Sequence, residues 1–243
     1  MVEVGSFTPD AISKPTGITT VTSDRTQKVL ILGTGRVSGP AVEYLGKNPK
    51  RQLIVVGAME TETKRVAPRA KWVKEIVLDV EGEQERMKSL IKEADVVLSL
   101  LPAGMHARVA KHCVGLGKSM VTSSYVSDEM RALDDIARTK GVTILNEVGL
   151  DPGMDHLSAM RIIDSAKKRG GVVTSFSSVC GGLPAPEHAN NPFMYKFSWS
   201  PRAALSAAQQ SATYLRDGTL CKIDGSRLLA SAKPARVPWP TLR

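Results

Sequence analysis

The sequence predicts a doubly wound α/β fold on a parallel sheet, and three observations predict it. Short unbroken apolar runs recur between residues 28 and 145, helical patterns fill the intervals, and a glycine-rich turn separates the first run from the first helix. Strands covered on both faces by crossover helices read as continuous hydrophobic runs rather than alternating ones.

Taken in order, residues 28–32 (KVLIL) form the first strand and end in Gly33-Thr34-Gly35. Residues 37–47 follow with Val37, Ala41, Tyr44 and Leu45 at helical spacing. Further strands are expected at 53–56 (LIVV), 75–78 (EIVL), 95–100 (DVVLSL), 119–122 (SMVT) and 142–145 (VTIL). Helical patterns at 83–92, 106–116 and 128–140 lie between them. We assign residues 28–146 to this sheet domain, preceded by a flexible tail at 1–27.

After Leu145 the grammar changes, and residues 147–243 read as the start of a second, α+β domain. Gly149-Leu150-Asp151-Pro152-Gly153 turns into a helix at 154–168, with Leu157, Met160, Ile163 and Lys167 on one side and Gly170-Gly171 as its stop. Residues 172–180 read as a strand. The segment 180–201, CGGLPAPEHANNPFMYKFSWSP, is the most unusual stretch of the chain. Its prolines and glycines forbid a helix, so residues 183–192 must run as irregular backbone, a loop length that marks lids and binding loops. Phe193, Tyr195, Phe197 and Trp199 alternate with Met194, Lys196 and Ser198, so an extended chain would put all four rings on one face, either as an edge strand or as part of a site. Ser200 as N-cap and Pro201 at the first position then open a helix running to about residue 215. Beyond Gly218 the chain thins, and the second domain reads as incomplete.

The chain has 243 residues, 42% hydrophobic and 23% charged, a globular balance without any run near the ~20 apolar residues of a membrane helix. Residues 1–27 lack both an apolar core and an Arg-rich amphipathic pattern, so we expect no leader there. Cys113, Cys180 and Cys221 are odd in number and free of C-x-x-C spacing, which suits reduced thiols in the cytoplasm, with a mitochondrial setting left open. The histidines, His106, His112, His156 and His188, are scattered, and no metal site is expected. The net charge of +9 is spread over helices without a basic run. It reads as solvated faces, or as a field drawing phosphate and carboxylate ligands, and not as a nucleic-acid surface.

Gly33-Thr34-Gly35-Arg36-Val37-Ser38 carries the first chemistry. Gly33 permits a tight turn, Gly35 lets backbone N–H groups approach a pyrophosphate, and the helix starting near Val37 favours its charge, with Ser38 as the small third residue of a G-x-G-x-x-G/A pattern. A strand before and a helix after make this a dinucleotide-binding Rossmann turn rather than a glycine turn in a cofactor-free fold. At the end of the second strand Glu60 favours the ribose 2′-hydroxyl of NAD, while Lys64 and Arg65 keep NADP open; the sequence leans to NAD. Ser99, Leu100 and Leu101, and then Ser123, Ser124 and Tyr125, follow later strands at the carboxyl ends where open α/β sheets bind ligands.

The run CGGLPAPEHANNPFMYKFSWSP, set after this glycine turn, resembles the signature of the saccharopine dehydrogenase family, glutamate-forming branch, and the likeness extends from Lys28 onward. The resemblance implies an NAD(P)-dependent oxidation of saccharopine to glutamate and 2-aminoadipate 6-semialdehyde. It implies that residues 99–101 line the cofactor, that residues 123–125 reach the nicotinamide, and that Tyr125, Asp151 and Cys180 face the substrate and share the proton transfers. Asp151 could instead cap a helix, Cys180 could be a small buried residue, and His156 could pack or serve as acid or base. Asn190, Lys196 and Arg202 are candidates for substrate carboxylate and polar contacts, or for turn and surface roles. The family pattern leaves open a homodimer or a fusion to a lysine-ketoglutarate reductase. A related amine oxidoreductase and an inactive cofactor-binding fragment are the alternatives.

Overall fold

The computed structural model describes residues 25–233; residues 1–24 and 234–243, including most of the expected tail and Trp239, lie outside the described part. Six strands form one sheet: β1 (Gln27–Leu32), β2 (Arg51–Gly57), β3 (Val73–Val77), β4 (Val96–Ser99), β5 (Ser119–Thr122) and β6 (Ile144–Leu145). All pairs are parallel and the spatial order is β3-β2-β1-β4-β5-β6, the doubly wound arrangement with its direction reversing between β1 and β4. Helices α1 (Ser38–Leu45), α2 (Glu60–Val66), α3 (Gln84–Glu93), α4 (His106–Gly115), α5 (Asp128–Arg131) and α6 (Asp134–Thr139) make the crossovers.

The apolar runs are continuous because each strand feeds two cores at once. Leu30, Leu32, Ile54 and Val56 pack with Met87, Leu90 and Ile91 of α3 and Val109, Ala110 and Cys113 of α4. Their neighbours Val29, Ile31, Leu53 and Val55 point to the opposite face, against Val42 of α1 and Val66 of α2. At about 25 cal/mol per Å² of apolar surface, burial of this kind supplies the largest favourable contribution to folding.

Several expectations need correction. Helix α2 went unrecognised because only Thr63 and Val66 of its seven residues are buried, too few for an apolar stripe. The expected helix at 128–140 is broken at Ala132-Leu133, where α5 ends and α6 begins. Residues 172–180 form no strand; among the described residues no sheet edge is paired with them, and Val172 and Val179 are exposed.

In the second half, α7 (Met154–Lys168) has the expected bounds, but none of its residues is buried, so its apolar side meets solvent. The aromatic arm is not extended: Met194 has φ 50°, which breaks the alternation, Phe193 is exposed, and only Tyr195 and Phe197 meet, edge to face at 5.1 Å. Ser200 caps α8 (Pro201–Ala207), its hydroxyl accepting from the Ala203 N–H, as expected. That helix stops early because β7 (Ala212–Arg216) and β8 (Thr219–Ile223) form an antiparallel hairpin instead. Its turn is Asp217-Gly218, with φ of 49° and 76°, the paired positive angles that Asp-Gly adopts easily.

Candidate cofactor and substrate site

The direction reversal of the sheet opens a crevice beyond the carboxyl ends of β1 and β4. There the Gly33 N–H donates to the Val56 carbonyl and the Leu100 N–H to the Leu32 carbonyl, both at 2.8 Å. Gly33 has φ +108°, and a Cβ on it would stand 2.7 Å from the Leu100 carbonyl oxygen, so only glycine fits. Gly35 is the reverse case: a Cβ there would meet nothing within 4 Å, which leaves open space above the N-terminus of α1. Ser38 is fully buried and donates to the Gly35 carbonyl at 2.7 Å, closing the turn as a small third residue must. Arg36 and Val37 are exposed at its rim. Open space bounded by backbone N–H groups and a helix start fits a pyrophosphate.

Glu60 does not stand free at the end of β2. It is the first residue of α2, and its carboxylate lies 2.6 Å from Lys64 Nζ on the same exposed face. The Lys64 hydrogen bond and charge hold the Glu60 carboxyl below its ordinary value. Arg65 reaches the glycine turn, donating from Nη2 to the Thr34 carbonyl at 3.2 Å, while the Thr34 hydroxyl donates to Glu62 at 3.3 Å. The rim expected to be acidic is therefore mixed, with Arg65 nearest the turn.

At the ends of β4 and β5 the expected cofactor residues divide by group. Leu100 and Leu101 pack their side chains into opposite apolar clusters. Ser123 is half-buried against Gly149. The hydroxyls of Ser99 and Ser124 both go to His106, at 2.9 Å on Nδ1 and 2.8 Å on Nε2. In the sequence His106 is one of several scattered histidines, because nothing in one dimension shows hydroxyls from the ends of β4 and β5 and the turn beyond converging on it.

The charge of Asp151 bears on both Tyr125 and Cys180. Desolvation first, then the negative charge of Asp151, Glu147 and Asp155, raises the Tyr125 phenol. Cys180 is exposed, and what desolvation it suffers, followed by its hydrogen bond to Asp151 and that group's charge, also favours the neutral thiol. Asp151 does not cap α7: Asp155 accepts from the Gly153 N–H at 2.8 Å and from His156 Nδ1 at 2.9 Å. That partner raises the His156 imidazole above its ordinary value. The floor of the cluster is thus acidic, with one cationic candidate at its side.

The aromatic arm returns to the glycine turn, Arg36 Nη1 donating to the Phe197 carbonyl at 3.4 Å. Asn191 clips the arm internally, donating to the Tyr195 carbonyl at 2.8 Å and accepting from the Phe193 N–H at 3.0 Å. Asn190, Lys196 and Arg202 are exposed, and their side chains make no hydrogen bond or ion pair among the described residues. Those residues also hold no group of three or more His, Cys, Asp or Glu able to bind a metal.

Sheet order, glycine turn and crevice define a Rossmann-type dinucleotide-fold protein. Residues 29–145 match the family model of the saccharopine dehydrogenase NADP binding domain, and residues 149–242 that of the saccharopine dehydrogenase C-terminal domain. The chain belongs to the saccharopine dehydrogenase family. It is 42% identical over 230 residues to the alpha-aminoadipic semialdehyde synthase of Arabidopsis thaliana, matching 86% of this chain and 22% of that protein. It is 41% identical over 206 residues to the saccharopine dehydrogenase [NADP(+), L-glutamate-forming] of Schizosaccharomyces pombe, matching 85% of this chain and 46% of the relative. The apo saccharopine dehydrogenase (L-Glu forming) of Saccharomyces cerevisiae superposes with a TM-score of 0.75 at 39% identity, over 88% of this chain and 47% of that one. The chain thus spans less than half the length of these relatives. The match to an NADP binding domain gives no support to the lean toward NAD.

Proposed function

We propose that this chain carries the cofactor-binding and catalytic portion of an NADP-dependent, glutamate-forming saccharopine dehydrogenase of lysine metabolism, converting saccharopine, NADP and water to glutamate and 2-aminoadipate 6-semialdehyde. The observation that carries the reading is the glycine turn, where Gly33 leaves no room for a Cβ and Gly35 leaves open space above the N-terminus of α1, set beside an acidic cluster of Asp151, Glu147 and Asp155 whose charge bears on Tyr125. Such a cluster suits a substrate with a secondary amine.

The division of labour runs as follows. Residues 28–146 hold the cofactor and residues 147–243 the substrate. Gly33, Gly35, Arg36 and Val37 receive the pyrophosphate, and Arg65 with Lys64 receives the 2′-phosphate, since Glu60 is already engaged by Lys64. The backbone at Ser99, Leu100 and Leu101 and the turn at Ser123 and Ser124 line the nicotinamide side. A nicotinamide held there would supply the hydride acceptor for the carbon beside the substrate nitrogen. Asp151 accepts protons, Tyr125 and Cys180 stay protonated as donors, and Asn190, Lys196 and Arg202 engage substrate carboxylates from the arm. Free rather than disulfide-bonded Cys113, Cys180 and Cys221 accord with a reducing compartment such as the cytoplasm; the mouse relative is named as mitochondrial.

Saccharopine added with NADP should produce absorbance of the reduced nicotinamide, and absence of both turnover and NADPH binding would refute the reading. A second reading is favoured by one observation: among the described residues the buried clusters draw on none beyond Ile144, so α7 and the β7–β8 hairpin lie largely uncovered. Normal NADPH binding without turnover would identify a cofactor-binding half that awaits further structure.

A further inference from the structure

Three strand-end or turn hydroxyls meet one buried ring. His106 opens α4 and is 2% exposed. Its Nδ1 lies 2.9 Å from Ser99 Oγ at the end of β4; its Nε2 lies 2.8 Å from Ser124 Oγ and 3.4 Å from Thr122 Oγ1 at the end of β5. Thr122 Oγ1 also accepts from the Ser124 N–H at 3.3 Å. The turn that follows is held on its other side by residues 146 and 147, with the Val126 N–H donating to Glu147 Oε1 at 3.2 Å. Glu147 N–H donates to the Ser124 carbonyl at 3.1 Å, and Asn146 Nδ2 lies 3.4 Å from the carbonyls of Ser124 and Tyr125.

We propose that His106 is a positioning residue: by tying Ser124 to Ser99 it fixes the Ser123–Tyr125 turn at the depth the nicotinamide requires, without touching the ligand. The inference rests on the NADP reading above. Burial holds the imidazole below its ordinary pKa and favours the neutral ring, which has one N–H donor and one bare nitrogen. One serine therefore donates to the ring and the other accepts from it, and the tautomer dictates whether Ser124 presents a proton or a lone pair to the crevice. Ser124 immediately precedes Tyr125, so displacement of this hydroxyl displaces the phenol.

Two amide substitutions separate the two halves of the tie. In His106→Asn the amide reaches only the Nδ1 position and keeps Ser99; in His106→Gln it extends toward the Nε2 position and keeps Ser124. Two ligands separate the two ends of the crevice, NADPH spanning it and 2′,5′-ADP lacking the nicotinamide. His106→Asn and Ser124→Ala should each weaken NADPH about threefold to tenfold, with 2′,5′-ADP within about twofold of the parent, as expected for loss of one hydrogen bond at one end. The double variant should add nothing, and His106→Gln should stay near the parent. Equal weakening of both ligands, or a fall in thermal stability with no selective loss of NADPH, overturns the positioning role. A parent chain that binds neither ligand overturns the NADP reading itself and this inference with it.

Discussion

The Arg36 guanidinium donates to the Phe197 carbonyl oxygen at 3.4 Å, joining the glycine turn to a segment 161 residues further along the chain. Within residues 185–203 it is the long-range polar contact; the others lie within four residues of each other. It is long and exposed, worth about 0.5–1 kcal/mol at most. Arg36→Gln should therefore open the arm modestly. Trypsin cleavage after Lys196 and Arg202 should accelerate about two- to fivefold, since cleavage tracks the open population. Unchanged cleavage would show that the arm is held by other means.

Gly33 and Gly35 should part company on substitution. Gly33→Ala places a methyl group 2.7 Å from the Leu100 carbonyl at a φ of +108°. The strain costs about 1–3 kcal/mol, a Tm decrease of roughly 3–10 °C. Gly35→Val should leave Tm nearly unchanged, because its Cβ meets nothing within 4 Å. Its branched side chain instead fills the pyrophosphate space, and NADPH affinity should fall at least about tenfold by titration. Comparable unfolding in both variants would contradict the cradle.

What the sequence made legible follows the physics of burial. β1, β2, β4 and β5 were readable because sheet strands covered on two faces need consecutive apolar residues, and the glycine turn because Gly33 has no steric substitute. The β7–β8 hairpin was missed although Asp217-Gly218 between two short runs that carry Thr213, Tyr214, Thr219 and Ile223 signals it; the helical pattern from Pro201 was carried on too far. Residues 172–180 have strand-like composition, but pairing needs a partner edge that composition cannot supply. At the site, the sequence could not show that Glu60 pairs with Lys64 at i,i+4, because α2 has too few apolar residues to announce itself as a helix.

Arg65 rather than Glu60 should govern cofactor choice. Its Nη2 sits 3.2 Å from the Thr34 carbonyl, inside the glycine turn, whereas the Glu60 charge is matched by Lys64. A charged hydrogen bond to phosphate is worth about 1.5–3 kcal/mol, so Arg65→Ala should weaken NADPH binding roughly ten- to a hundredfold. NADH, without the 2′-phosphate, should be affected about twofold or less. Equal effects on the two nucleotides would place the 2′-phosphate elsewhere.

Cys113 should report on the integrity of the sheet domain. Its side chain is fully buried in the cluster formed by α3, α4 and the sheet, and burial pushes the thiol from 9.0 up to about 12. At pH 8 a thiol reagent should modify Cys180 and Cys221 in the native chain and reach Cys113 only after denaturant is added. The same shift has a sign in stability. Between pH 9.0 and about 12 the folded chain keeps this proton while the unfolded chain loses it, so stability falls as pH rises. The slope from this group approaches about 1.4 kcal/mol per pH unit. Cys113→Ala lowers stability at neutral pH by leaving a small cavity, yet removes that slope, so the two chemical-denaturation curves should converge as pH rises above 9.0. Parallel curves over that range would mean that the thiol is reached by water in the folded chain.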